Sequence, residues 1–135
     1  MKLKILLRTI LTILVLIGVI IGGLFGLNTY SNQHPNNQSV NDWNKLNPVA
    51  PTYNYYVETQ KPSKVEKIDK DFYIYHYNQT GYQQDGTSKK VHYTATKKLK
   101  AHHYLIIKEK SHTVLSYEEV KKSNIPKKVM NQLQN

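Results

Sequence analysis

The sequence predicts a mainly β protein, with a small antiparallel barrel or curled sheet toward its C-terminal end. Short segments rich in tyrosine, valine and isoleucine alternate between apolar and polar residues, which is typical of strands. Asp85-Gly86 lies between two of these segments and is a strong signal for a tight hairpin. A long apolar run near the N-terminus predicts, in addition, a membrane helix ahead of the β domain.

Residues 1–27 are expected to be a membrane anchor or a signal sequence. Lys2, Lys4 and Arg8 precede nineteen consecutive uncharged, mostly apolar residues at positions 9–27. A helix of that length nearly crosses a bilayer, and the basic residues before it place the N-terminus in the cytoplasm and the rest of the chain outside. The run is longer than the apolar core of most cleaved signals, so a single-pass anchor in the cell membrane is favoured. Cleavage would instead give a secreted protein.

Residues 28–52 are expected to be a flexible tether. They are rich in asparagine, glutamine, serine and proline and show neither a helical nor an alternating pattern. Such a segment cannot bury enough apolar surface to offset the entropy lost on ordering. Trp43 stands out here, and we expect it to dock on the membrane interface or on the folded domain.

Residues 53–135 are expected to form the small β-barrel domain. Strands are predicted at residues 53–59, 71–82, 88–96, 102–110 and 113–115, with a polar connection at residues 61–69. Ser116 and Glu119 fit a capping box and predict a short helix through Val120. Pro126 predicts the start of a second helix, which ends at Leu133. Antiparallel strands in about eighty residues are expected to close into a barrel or to curl.

The hairpin also predicts which side chains share a face. If Asp85 and Gly86 form a two-residue loop, Asn78 pairs with Tyr93. Alternation along the strands then predicts a core of Phe72, Ile74, Val91, Tyr93, Ala95 and Leu99. The tyrosines at positions 73, 75 and 77 fall on the opposite, outward face, unless a bulge shifts the register.

Several short motifs follow one another in a distinctive order. An aromatic strand runs into Gly81-Tyr82 and the Asp85-Gly86 turn, and a Tyr-Thr-Ala segment at 93–95 and a strand at 104–105 come next. The sequences SYEEV at 116–120 and IPKK at 125–128 complete the set. Over residues 53–133 this combination resembles the YxeA-like family of small exported proteins from Gram-positive bacteria. The resemblance implies an OB-fold-like barrel behind an N-terminal signal or anchor, and it implies no established biochemical role and no catalytic residues.

The tyrosine stripe is the strongest candidate for a binding surface. Tyrosine rings can stack on sugars, bases or peptide side chains, and nearby lysines would attract an anionic ligand. OB-type barrels often bind oligonucleotides or oligosaccharides on one sheet face. The predicted ligand-binding residues are Tyr73, Tyr75, Tyr77, Lys90, His92 and Lys98. The alternative is a purely structural stripe, because strands favour tyrosine.

The residue inventory favours binding over catalysis. The chain has no cysteine, which excludes thiol nucleophiles and thiolate metal sites, and no serine lies in a Gly-x-Ser-x-Gly motif. The six histidines are not spaced to form a closed zinc site, and His76 and His92 are expected on opposite faces. We therefore expect no catalytic residues, no metal and no cofactor.

The charge of the chain suggests the class of partner. Nineteen basic residues against nine acidic ones give a formal net charge of +10, which attracts anionic partners. The predicted function is that of a non-catalytic, membrane-tethered, extracytoplasmic binding module for an envelope protein or an anionic wall polymer. One alternative is an oligonucleotide-binding OB-type protein, which the predicted location disfavours. The other is a cell-envelope enzyme with an unrecognised site, which would need convergent polar groups in a pocket. A structure with His76, Tyr93 and a carboxylate in one open cleft would favour it.

Overall fold

A computed structural model describes residues 1–135. Its elements in chain order are α1 (Lys2–Gln33), α2 (Gln38–Lys45), β1 (Thr52–Glu58), β2 (Lys64–Asp69), β3 (Phe72–Tyr82), β4 (Ser88–Ala95), β5 (Tyr104–Lys110), β6 (Thr113–Val120), a 3₁₀ turn (Lys122–Asn124) and α3 (Lys127–Gln134). By their contacts the residues form two units. The first is Met1–Pro51 with Ser111–Thr113, and the second is Thr52–Lys110 with Val114–Asn135.

Helix α1 is long and apolar enough to cross a membrane, judged by length and composition. It has 32 residues, its most apolar window has a mean hydropathy of 2.8, and none of that window is buried inside the protein. A helix that is apolar all round and unburied in protein fits a lipid environment. The helix continues to Gln33, beyond the end of the apolar run at residue 27.

Helix α2 packs antiparallel to the C-terminal end of α1 through polar groups. Two contacts join the two helices, and a third joins α1 to Asn47, two residues after the end of α2. The three contacts are about one helical turn apart, and we call them the asparagine ladder. They are Ser31 Oγ to Asn41 Oδ1 at 2.7 Å, Asn44 Nδ2 to Asn28 Oδ1 at 3.1 Å, and Asn47 Nδ2 to the Leu24 carbonyl at 2.6 Å. Residue numbers rise along α2 as they fall along α1, so the two helices run in opposite directions.

The segment predicted to be a tether is therefore partly helical. Asn37 caps α2, because its Oδ1 accepts from the backbone N–H of Val40 at 3.2 Å. Ser31, Asn41 and Asn44 are buried. Order in this segment comes from amides and hydroxyls that satisfy one another, rather than from the apolar burial on which the tether prediction was based.

The six strands form one antiparallel sheet that is not closed. Its order is β2-β3-β1-β5-β6, with β4 also paired to β3. Across the gap between β4 and β6, the rings of Tyr93 and Tyr117 lie 5.9 Å apart. Because no strand pairing joins β4 to β6, the predicted closed barrel is not supported, and an OB-fold is not confirmed.

The β3–β4 hairpin differs from its predicted register by one residue. Tyr77 pairs with Tyr93, and the strands end at the pair Tyr82 and Ser88, which leaves five loop residues instead of two. Gly86 adopts a φ of +90°, a conformation that glycine permits at no steric cost. A one-residue shift moves every side chain of a strand to the other face relative to its partner.

That shift decides which residues of β3 are buried. The main core, which we call the tyrosine core, consists of Tyr55, Val57, Tyr77, Val91, Tyr93, Ala95, Leu105 and Ile107. Val91, Tyr93 and Ala95 confirm the prediction, and Leu99 packs against this core while partly buried. Phe72 is 45 % exposed and Ile74 is only half-buried, so their assignment to the core was wrong.

The sequence also misassigned two strands. Residues 64–69, which were predicted as a polar connection, form β2 at the edge of the sheet. Ser116 and Glu119 lie in β6, so the predicted capping box and its helix are wrong. Exposed positions dominate both strands, which removes the alternation that identifies a half-buried strand. The C-terminal helix is confirmed as α3, and Pro126 precedes it as the N-cap residue.

Gly81 offers a direct test of how tightly the tyrosine core is packed. A Cβ at this position would lie 2.8 Å from the Tyr55 Cβ and 2.9 Å from a Val91 methyl carbon. We expect Gly81→Ala to destabilise the sheet by about 1–3 kcal/mol and to lower Tm by roughly 4–8 °C per kcal/mol. Thermal unfolding followed by near-ultraviolet circular dichroism measures this shift.

Gly22→Ala is the matched control, because a Cβ on Gly22 meets nothing within 4 Å. Its Tm should equal that of the unmodified chain. An unchanged Tm for Gly81→Ala would contradict the close packing of β3 against β1 and β4.

Candidate binding site

The predicted tyrosine face is an inner face of the sheet. Tyr77 is completely buried in the tyrosine core, and Tyr73 and Tyr75 are half-buried on the same side of β3. The prediction that these tyrosines face outward fails because the hairpin loop has five residues. Tyr73 and Tyr75 keep partial exposure beside β2, where Lys67 Nζ lies 5.9 Å from the centre of the Tyr73 ring.

Tyr77 and Tyr93 form the centre of the tyrosine core. Their rings stack with centroids 5.1 Å apart and an interplanar angle of 11°. The Tyr77 hydroxyl accepts from the backbone N–H of Leu99 at 2.8 Å, and the Tyr93 hydroxyl donates to Gln79 Oε1 at 2.7 Å. Burial raises the pKa of Tyr93 well above its usual value, and the nearby Tyr77 and Tyr117 raise that pKa further. Both hydroxyls serve internal contacts, so Tyr77 has a structural role.

Lys90 and His92 lie on the opposite face of the sheet from Tyr77. Both side chains are exposed, and His92 pairs with Asn78 across the hairpin. His76 lies on this same face, where its ring stacks on His92 with centroids 5.6 Å apart. The prediction that His76 and His92 are on opposite faces was therefore wrong. Lys98, the last predicted residue, is exposed in the loop between β4 and β5, so the structure does not bring the six predicted residues together.

The histidine pair is held in place by one carboxylate. His76 Nε2 lies 3.0 Å from Glu66 Oε2 on β2. No group of three or more histidine, aspartate or glutamate side chains converges on a point that a metal could occupy. The pair therefore contributes polar ring surface to this face of the sheet.

An open groove lies on this face between the β3–β4 hairpin and α3. Its volume is about 320 Å³. Its polar lining consists of Glu58, Gln60, Asn78, Gln79, Thr80, Lys90, Gln132 and Asn135, with Tyr82 and Leu133 as the large apolar members. We call this groove the amide groove, because side-chain amides are the commonest polar group in its wall.

Packing and hydrogen bonds both fix α3 beside the groove. Val129 is buried and packs with Tyr56 and Ile125 on this face of the sheet. Gln132 Nε2 donates to the Gly86 carbonyl at 3.1 Å, and Lys128 Nζ donates to the Asp85 carbonyl at 2.8 Å. The groove wall is thus assembled from the β3–β4 hairpin and a helix that is hydrogen-bonded to the hairpin loop.

The groove presents hydrogen-bonding groups of both kinds. Each amide offers two N–H donors and one oxygen acceptor, and Thr80 adds a hydroxyl. Glu58 and Lys90 are the two charged side chains of the lining. The Glu58 carboxylate is already engaged, because its Oε1 lies 3.1 Å from His102 Nδ1. Such a lining can bind a hydroxyl-rich ligand that also carries negative charge.

Sequence reasoning found only Lys90 among these groove residues. Glu58 and Gln60 lie at or just after the end of β1, and Gln132 and Asn135 lie more than forty residues beyond Lys90. No motif links residues so far apart in the chain. The usable signal was the run of polar residues at alternate positions of β3, namely His76, Asn78 and Thr80.

The comparisons with known proteins assign the family of this chain. A model for a protein family of unknown function, DUF1093, matches residues 48–123, which include all six strands. The chain belongs to the DUF1093 family. The narrower YxeA-like assignment is consistent with this membership and stays a prediction. No curated protein matches the chain.

Solved structures similar to this DUF1093 chain come from Bacillus. One is a crystal structure of a DUF1093 family protein from Bacillus subtilis, with 27 % identity and a TM-score of 0.56, covering 65 % of this chain and 97 % of that one. Another is the solution structure of a membrane-associated protein from Bacillus cereus, with 29 % identity and a TM-score of 0.51, covering 62 % and 85 %. The sheet of the DUF1093 domain is thus shared with experimentally determined relatives.

The raised pKa of Tyr93 predicts a particular dependence of stability on pH. Folding favours the neutral hydroxyl of Tyr93. The contribution of Tyr93 to the free energy of unfolding is therefore fully present below pH 10, the usual pKa of tyrosine, and is lost as the pH rises above that value. We expect Tyr93→Phe to cost about 1 kcal/mol at neutral pH and to reduce the loss of stability above pH 10 by up to about 1.4 kcal/mol per pH unit. Urea unfolding at several pH values measures both effects.

Tyr53→Phe, at an exposed tyrosine of β1, is the matched control and should leave the stability at neutral pH unchanged. Equal slopes above pH 10 for Tyr93→Phe and the unmodified chain would contradict the buried, neutral hydroxyl.

Proposed function

We propose that this DUF1093 chain is a non-catalytic, membrane-anchored module that binds an anionic wall polymer outside the cytoplasm. The amide groove carries the proposal, because it combines many neutral hydrogen-bonding groups with the exposed Lys90 on one face of the sheet. Polyol phosphates and anionic glycans present hydroxyls to which the groove amides can bond and negative charges that Lys90 attracts.

The anchoring half of the proposal rests on α1. Its apolar run is preceded by Lys2, Lys4 and Arg8, which favours a single-pass helix with the N-terminus in the cytoplasm and the sheet outside. The Bacillus cereus protein of similar structure is described as membrane-associated. An uncleaved helix keeps the sheet domain at the cell surface, where wall polymers are concentrated.

The charge of the domain supports an anionic ligand over a neutral one. Residues 52–135 contain fifteen lysines and eight acidic residues. This excess attracts a polyanion over a distance set by the Debye length, about 8–10 Å at ordinary ionic strength. Neutral contacts in the groove then give the affinity that remains at high salt.

A charge reversal in the groove tests this function. We expect Lys90→Glu to weaken binding of a purified polyol-phosphate wall polymer by about tenfold or more, equivalent to about 1.4 kcal/mol, because an attraction becomes a repulsion. Calorimetric titration of the full chain in lipid nanodiscs measures the affinity at low and high salt.

Lys70→Glu makes the same charge change in the exposed turn between β2 and β3, away from the groove. It should lower the affinity far less than Lys90→Glu. Equal losses for the two variants would reduce the interaction to a non-specific charge effect. No binding by the unmodified chain would reject the polymer and would favour an envelope protein as the partner.

A further inference from the structure

Helix α2 carries two large apolar side chains that nothing in the structure covers. Trp43 is 70 % exposed and Leu46 is 74 % exposed. They are three residues apart, which makes them neighbours on one side of the helix. Asn41 and Asn44 are buried, and at about 100° per residue they lie on the opposite side of α2 from the exposed pair. The side of α2 that faces away from α1 therefore carries Trp43 and Leu46, with Ser39 and Asp42 exposed beside them.

The asparagine ladder determines the position of Trp43 and Leu46 along the axis of α1. Asn47 reaches the carbonyl of Leu24, and Asn44 reaches the side chain of Asn28. Leu24 lies three residues, or about 4.5 Å, before the end of the apolar run at residue 27. Trp43 and Leu46 are thus level with the end of the apolar segment of α1, rather than far beyond it.

This position of Trp43 and Leu46 along α1 corresponds to the headgroup–acyl boundary of a bilayer. If residues 9–27 cross the hydrocarbon region, as the proposed function requires, the end of that run marks the boundary between acyl chains and headgroups. Tryptophan concentrates at this boundary, because its ring is largely apolar while its indole N–H finds polar partners.

We propose that α2 is an interfacial helix, with Trp43 and Leu46 inserted at the headgroup–acyl boundary of the leaflet at the C-terminal end of α1. The ladder holds α2 against the C-terminal part of α1, so that the buried asparagines bond to α1 while Trp43 and Leu46 face lipid. This second membrane contact rests on the proposed span, and its ligand is the lipid interface itself.

The chain contains one tryptophan, so its fluorescence reports only Trp43. The full chain is reconstituted in phosphatidylcholine–phosphatidylglycerol nanodiscs containing lipids brominated either near the headgroup or deep in the acyl chain. We expect Trp43 to lose most of its emission with shallow bromines, to lose less with deep bromines, and to be poorly quenched by aqueous iodide.

Two matched variants link this result to the geometry. Asn47→Ala removes the contact to Leu24 and should reduce quenching by shallow bromines while increasing quenching by iodide. Asn36→Ala changes an exposed asparagine of the α1–α2 turn outside the ladder, and should leave both values unchanged. Equal behaviour of the two variants would overturn the role of the ladder.

Flotation of the same chain with vesicles separates the two hypotheses. A chain that floats while Trp43 is quenched by iodide and not by bromolipid overturns the interfacial helix and leaves the span intact. Stronger quenching by deep bromines than by shallow ones also overturns it. A chain that does not float overturns the span, and the interfacial helix with it.

Discussion

The stacked pair of Tyr77 and Tyr93 determines how the rest of the sheet is arranged. Both rings are buried, and their hydroxyls bond to Leu99 and Gln79 inside the protein. Because successive side chains of a strand point to opposite faces, burying Tyr77 fixes the face of the sheet on which each of the other β3 side chains lies. Asn78 and Thr80 flank Gln79, and this alternation directs both of them to the face that carries the amide groove. The groove therefore exists because the tyrosines are inside, and a hairpin of the other register would have placed the aromatic stripe at the surface.

The β-rich character, the main strands and the C-terminal helix could all be predicted from the sequence, since they depend on local composition and turn signals. The register of the hairpin could not, because it depends on whether two or five residues form the loop, and Asp85-Gly86 is compatible with both. Gly86 does supply the turn, with its positive φ, but three residues besides Asp85 and Gly86 also take part in the loop. The capping-box pattern at Ser116 and Glu119 failed for a different reason: it is a local signal, and pairing of β6 with β5 outweighed it.

The two candidate functional surfaces show where sequence reasoning lacks information. The amide groove combines Glu58, Asn78 and Gln132, which no spacing rule connects, and tertiary packing of α3 alone brings them together. In the asparagine-rich segment, the polar composition itself led to the prediction of a flexible tether. Amides can order a segment when they bond to one another, and the spacing of asparagines at positions 41, 44 and 47 follows one side of a helix. That spacing was a visible signal for α2, and the composition obscured it.

The most direct test of the account asks on which side of the membrane the sheet lies. The chain has no cysteine, so a single introduced thiol can be labelled without background. Lys70→Cys places a thiol in the exposed β2–β3 turn, and Lys4→Cys places one before the apolar run. In intact cells, a membrane-impermeant maleimide should label the Lys70→Cys variant, whereas the Lys4→Cys variant should react only after permeabilisation. The reverse pattern would place the amide groove in the cytoplasm, away from any wall polymer, and would contradict the account.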